Sequence, residues 1–124
     1  LARYTLIDYD REMALVAVHA TREPDGDGGF VEREQIIGVS RYITNPDQTS
    51  CEFSLVVSDD FKGQGLGSRL MLSIMEFARA KGLAEIDGLV LANNPNMLRL
   101  MTGLGFSVQA FPEDPDFKLV TKAL

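Results

Sequence analysis

Cysteine and histidine occur once each in these 124 residues, as Cys51 and His19. A lone thiol forms no internal disulfide, and one thiol with one imidazole cannot build a zinc site of the usual Cys/His type, so no metal is expected. Long apolar runs are missing too. Nothing approaches the roughly 20 residues that span a bilayer, and nothing resembles a signal peptide, so a reducing, cytoplasmic setting without a membrane is expected. Positive charge is scarce: 12 Lys and Arg stand against 18 Asp and Glu, a formal net charge of -6. That balance argues against general affinity for nucleic acid phosphates and suits a lysine-rich partner. The chain starts at Leu1 and not at Met, which reads as a piece excised from a longer protein. What is present is ordinary for a soluble globular chain, 45% hydrophobic and 24% charged. The length makes residues 1–124 one domain with a single core. Repeats and low-complexity tracts are absent.

The chemistry concentrates between Cys51 and Lys81. Apolar and polar residues alternate from Cys51 to Val57, as in a strand with one face in a core. After a loop with three glycines, Leu66, Leu70, Ile74 and Phe77 recur at helical spacing, Met71, Met75 and Ala78 widen the stripe, and Gly82 supplies a stop. A helix start leaves backbone N–H groups without internal partners at the positive end of the helix dipole. Glycines let a phosphate approach them, so a phosphorylated ligand is expected here. A P-loop requires Gly-Lys-Ser/Thr, whereas this loop ends Gly67-Ser68-Arg69. A dinucleotide fingerprint needs its third glycine at position 68 and an acid after the next strand; Ser68 and Asp87 fail both requirements.

A different pattern fits. Lys62-Gly63-Gln64-Gly65-Leu66-Gly67 resembles the acyl-CoA loop of the GNAT N-acetyltransferases, Gln/Arg-x-x-Gly-x-Gly/Ala between a strand and a long helix. Lys62 departs from the usual Gln or Arg, at a place where the grip comes mainly from backbone N–H groups. Downstream, Asn94-Pro95-Asn96-Met97 leading to Leu104-Gly105-Phe106 resembles the family's Asn-x-x-Ala…Leu-Gly-Phe block. The resemblance narrows over Ile7–Val18, Ile36–Tyr42 and Cys51–Val57, which look like the C-terminal GNAT domain of bacterial Pat-type protein lysine acetyltransferases. It implies acetyl-CoA as cosubstrate and a protein partner, an AMP-forming acyl-CoA synthetase that is switched off by lysine acetylation.

The remaining elements follow in order. Leu1–Asp10 reads as an approach segment. Glu12–Val18 has the composition of a helix and the length and valines of a strand; with the resemblance, it is taken as a strand. Thr21–Gly29 reads as a flexible hairpin connection, Glu34–Ile43 as a strand and Asn45-Pro46-Asp47 as a turn. Ile86–Leu91, reached through a helix, should run parallel to the central strand. Pro95–Met101 makes a short helix, and Phe106–Phe111 and Phe117–Val120 are closing strands. The expected fold is an α/β (α+β) GNAT acyl-CoA N-acyltransferase fold: a mixed, mostly antiparallel sheet with a splayed parallel pair at its centre. The family's N-terminal strand and first two helices, which commonly form one wall of the acceptor site, should be missing.

Chemistry suggests the roles. An amine attacks a thioester only when neutral, and a lysine with pKa near 10.4 is about 0.1% or less deprotonated at neutral pH. A base is needed, directly or through water. Glu52, inside the central strand and on one face with Ser54 and Val56, is the candidate; burial there is expected to raise its pKa, and it matches the family's strand glutamate. The resemblance places the cosubstrate on the backbone of Leu55, Val56 and Val57 and on Lys62, Gly63, Gln64, Gly65, Leu66, Gly67 and Ser68. Asn94 either bonds the pantetheine arm or caps its helix. Met101 stands where many relatives carry the tyrosine that reprotonates the thiolate, which leaves the general acid unassigned; Tyr9 and Tyr42 are substitutes or packing. Cys51 and His19 read as structural, and Arg69 either touches a CoA phosphate or is a solvated helix residue. Two other functions fit the same residues: a GNAT acetylating a small amine, and an acyl-CoA-binding regulatory module without turnover.

Overall fold

The computed structural model describes residues 2–124. Seven strands form one sheet in the order β1-β2-β3-β4-β5-β7-β6. These are β1 (Ala2–Asp8), β2 (Glu12–Pro24), β3 (Phe30–Thr44), β4 (Ser50–Val57), β5 (Glu85–Leu91), β6 (Ser107–Ala110) and β7 (Phe117–Ala123). Two helices, α1 (Leu66–Ala80) and α2 (Pro95–Gly103), complete the chain. Every neighbouring pair is antiparallel except β4 and β5 at the centre, which run parallel as a helical crossover requires. Glu12–Val18 is a strand, hydrogen-bonded on both sides. No helix among the described residues is long and apolar enough to cross a membrane.

Two expectations need correction. Ala2–Asp8 is no approach segment: it is an edge strand, paired with β2 from Ala2↔His19 to Asp8↔Met13. It therefore occupies a sheet position expected to be empty, while only Tyr9–Arg11 link β1 to β2, where the family's two helices were expected to be missing. Thr21–Gly29 is likewise in part strand, over Thr21–Pro24. β2 runs on to Pro24 and β3 begins at Phe30, so the connection shrinks to Asp25–Gly29.

The core lies on one face. α1 buries Leu66, Leu70, Met71, Ile74, Met75 and Ala78 against Met13, Leu15 and Ala17 of β2, Tyr42 of β3, and Cys51 and Phe53 of β4. The one fully buried hydroxyl among the described residues, Ser40, donates to the Leu70 carbonyl at 3.1 Å, so its burial leaves no orphaned polar group. Met101 of α2 joins the same cluster, and Phe106 meets Phe53 edge-on with 5.5 Å between ring centres. Phe53 also lies flat on β5 at Gly88, where a Cβ would meet the ring at 2.5 Å. A rigid ring cannot yield that distance cheaply. Gly88→Ala should therefore lower stability by about 1–3 kcal/mol, read from the denaturant midpoint.

Candidate active site

The parallel pair holds together only briefly. β4 and β5 are in register at Ser50↔Glu85, Cys51↔Ile86 and Glu52↔Asp87, and no β5 partner continues the ladder beyond Glu52. β4 stays paired with β3 as far as Val57. Its opposite edge, from Phe53 to Val57, is left with backbone groups that need other partners. The gap opens into a cleft of about 560 Å³.

One wall of the cleft is β4 itself, through Leu55, Val56 and Val57; the loop Lys62, Gly63 and Gly65 with Leu66, Gly67 and Ser68 of α1 makes the second. Asn94, Asn96, Met97 and Leu100, at and within α2, close the third side. Gly65 is the N-cap of α1 with φ 78 and ψ 4, a left-handed conformation that glycine adopts without the Cβ penalty. Having no side chain, it offers no cap, and the first bond into the helix runs from the Arg69 N–H to the Gly65 carbonyl at 3.1 Å. The N–H groups of Leu66, Gly67 and Ser68 thus lie in the unsatisfied first turn, lining the cleft. Gly67 is needed for closeness: a Cβ there would come 3.2 Å from Leu100 and 3.7 Å from Leu55 and Val57. A Cβ there would make the Leu100 side chain give by a few tenths of an ångström.

Lys62 stands at the mouth with its Nζ 2.7 Å from Asp59 Oδ1. Asp59 belongs to a single 3-10 turn, Asp59–Phe61, and the hydrogen bond and charge of Lys62 hold its carboxyl below the usual range. Both groups are exposed, so the pair is weak. It still occupies the cation nearest the loop and sets an anion beside it. Asp59→Asn should tighten acetyl-CoA binding about twofold to fivefold at low salt, fading as salt is added, in a calorimetric titration.

Among the described residues of the glycine loop, Gln64 is exposed and lies outside the cleft lining. Asn94 caps α2, its Oδ1 accepting from the Met97 N–H at 3.2 Å, and also lines the cleft. Met101 is fully buried in the core and not part of the lining. Tyr42 is packed in the core and Tyr9 projects from the β1–β2 turn, so neither tyrosine lines the cleft. Arg69 is exposed outside the lining as well. Burial, and then the charge of Asp87, pushes the Cys51 thiol up to about 12, leaving it protonated and inert. His19 packs its ring against Phe61 at 5.2 Å.

Glu52 corrects an expectation. It is exposed, on the sheet face opposite α1, because Cys51 and Phe53 on either side take the core positions. The expected burial is absent. Beside it in register stands Asp87, whose carboxyl is raised by partial burial first and then by the charges of Glu52, Glu85 and Asp47. Sequence reasoning gave Asp87 no role at the site and did not include Phe61, Asn96, Met97 and Leu100 in the cleft lining. The alternation Glu85-Ile86-Asp87-Gly88 gives Asp87's face, but only the register of two distant strands puts it next to Glu52.

The model of the acetyltransferase (GNAT) family matches residues 2–106. The acetyltransferase PA5475 of Pseudomonas aeruginosa is 35% identical over 109 residues, which are 87% of this chain and 53% of that protein. The chain therefore spans about half the length of this curated relative. Among solved structures, the GNAT domain of S. lividans PAT superposes with a TM-score of 0.72 at 20% identity, over 94% of this chain and 64% of that one. A GNAT-family acetyltransferase from Streptococcus pneumoniae superposes with a TM-score of 0.71 at 20% identity, over 94% and 68% of the two chains. Family model, glycine loop and splayed strands agree, and the chain belongs to the GNAT family of acetyltransferases.

Proposed function

We propose that this protein transfers the acetyl group of acetyl-CoA to a lysine side chain of a protein, and that its substrates are AMP-forming acyl-CoA synthetases in the cytoplasm. The observation that carries the reading is the cleft between β4 and β5 beneath the free first turn of α1. Leu66, Gly67 and Ser68 offer N–H groups to the pyrophosphate, with Lys62 adding charge. The free edge of β4 at Leu55–Val57 pairs with the pantetheine arm and polarises the thioester carbonyl. Asn94, already committed by Oδ1 to its helix, retains an amide N–H2 for the same arm.

Transfer is direct, in a ternary complex. The lysine ammonium first loses a proton to Glu52 through water, because its neutral form is scarce at neutral pH. The amine nitrogen then forms a bond to the acetyl carbon, the carbon–sulfur bond breaks, the nitrogen gives its second proton to water as the amide forms, and water returns a proton to the departing thiolate. Water fills that last role since Met101 is buried and neither Tyr9 nor Tyr42 lines the cleft. Protein lysine as the acceptor rests on the Pat-type resemblance and is consistent with the PAT domain among the structural neighbours. The open face around Glu52 leaves room for a large acceptor.

The test incubates the protein with acetyl-CoA and a purified AMP-forming acetyl-CoA synthetase, then maps acetyl-lysine by mass spectrometry. Acetylation of one synthetase lysine, dependent on the protein, supports the reading. Tight acetyl-CoA binding with turnover of small amines alone replaces the protein acceptor with a small one.

A further inference from the structure

The long β2–β3 hairpin leaves the sheet. Among the described residues, β1 accompanies β2 only to His19, and β4 accompanies β3 only to Gly38, followed by one bond from the Ser58 N–H to the Ile37 carbonyl. Beyond that, Ala20–Pro24 and Phe30–Glu34 form a two-stranded ribbon with no third strand among the described residues. From Glu34 to Phe30 it extends about 13 Å beyond the last β1 pairing. Its root adjoins the cleft mouth, where His19 packs on Phe61.

A free ribbon of this kind is marginal in water, and this one carries unusual surface chemistry. Phe30 is 62% and Ile36 63% exposed, with Arg22 stacked 5.0 Å over the Phe30 ring. Glu23 pairs with Arg33 and Glu34 with Arg3 of β1, and the remaining acids of the arm, Asp25, Asp27 and Glu32, outnumber Arg22. The tip is ordered. Asp25 accepts from the Asp27 and Gly29 N–H groups at 2.8 and 3.1 Å, and its own N–H donates to the Gly29 carbonyl. Exposed apolar side chains ringed by charge mark a contact surface.

We propose that this acidic ribbon is the docking arm for the protein acceptor, gripping a basic, partly apolar surface around the lysine to be acetylated. The proposal rests on the protein-acceptor reading above. Charge selects this occupant: the arm repels the polyanionic CoA, a nucleic acid and a second copy of a chain whose own net charge is -6, and attracts a lysine-rich surface. Phe30 and Ile36 supply the apolar anchor that such contacts centre on.

Two variants test it. In one, Thr21–Arg33 is replaced by Asn-Gly, joining the paired residues Ala20 and Glu34 through a two-residue hairpin turn. In the other, Asp27→Lys and Glu32→Lys reverse charge without touching the tip bonds made by Asp25. Acceptors are acetyl-CoA synthetase and a short lysine peptide, with acetyl-CoA affinity measured in parallel. Both variants should lose roughly tenfold or more in kcat/KM for the synthetase, chiefly through KM, and leave peptide turnover and acetyl-CoA affinity unchanged. Full synthetase turnover by both variants overturns the docking role alone, as does an equal loss with peptide and synthetase or a weakened affinity for acetyl-CoA. A parent protein that acetylates the peptide and no synthetase removes the protein-acceptor reading, and the docking arm with it.

Discussion

Glu52→Gln should lower kcat/KM for acetyl transfer about 10²- to 10⁴-fold at neutral pH while leaving acetyl-CoA affinity unchanged. The two halves of that result follow from where Glu52 sits. It is exposed on the face opposite α1, outside the lining of the cleft, so the amide removes no contact from the proposed acyl-CoA site. Stability should stay within about 0.5 kcal/mol, as for other exposed substitutions away from special features. What disappears is the proposed proton acceptor. The loss should shrink as pH rises toward the lysine pKa, since the neutral fraction of the acceptor grows about tenfold per pH unit. Steady-state kinetics across pH read both effects. A loss under about threefold at neutral pH moves the base elsewhere, first to Asp87 on the neighbouring strand.

Gly65→Val should raise the dissociation constant for acetyl-CoA at least about tenfold. Space is not the reason, because a Cβ at Gly65 meets nothing within 4 Å. Conformation is: the residue holds φ 78, a region forbidden to β-branched side chains. Relieving it turns the chain out of the left-handed region and re-aims the N–H groups of Leu66, Gly67 and Ser68, which bind only when they converge. Stability should fall by about 1–2 kcal/mol. Gly65→Asn is the control, because asparagine tolerates the left-handed region; it should recover most of the affinity. Isothermal titration with acetyl-CoA measures both variants. Affinity equal to the parent's in Gly65→Val would mean the first turn of α1 does not hold the ligand.

Much of the site's frame was legible because it is local. Strand, glycine loop and amphipathic helix follow one another within Cys51–Lys81, and the crossover through α1 dictated a parallel β5. Leu55, Val56, Val57, most of the glycine loop and Asn94 do gather around one cleft, whatever they bind. The edge strand β1 escaped notice for a physical reason. Tyr4, Leu6 and Ile7 are all partly exposed, so no clean alternation between core and solvent marks Ala2–Asp8. The outer halves of β2 and β3 hid behind Pro24 and an acidic, glycine-rich composition that reads as loop, since ribbon residues with no core beneath them need no apolar face.

Glu52 shows the limit most clearly. Alternation set it on one face with Ser54 and Val56, yet it could not reveal whether that face was covered. Burial was assumed, and the helices went to the other side. Asp87 beside Glu52, and Leu100 against Gly67, depend on register and on helix packing between segments far apart in the chain. Those are properties of the assembled sheet and not of any window of sequence.

A crystal structure with acetyl-CoA tests the central claim most directly. The account predicts the pyrophosphate within hydrogen-bond reach of the Leu66, Gly67 and Ser68 N–H groups, the pantetheine arm along the free edge of β4, and the thioester between β4 and β5. A ligand seated anywhere else, or bound there with its phosphates away from the first turn of α1, would contradict it.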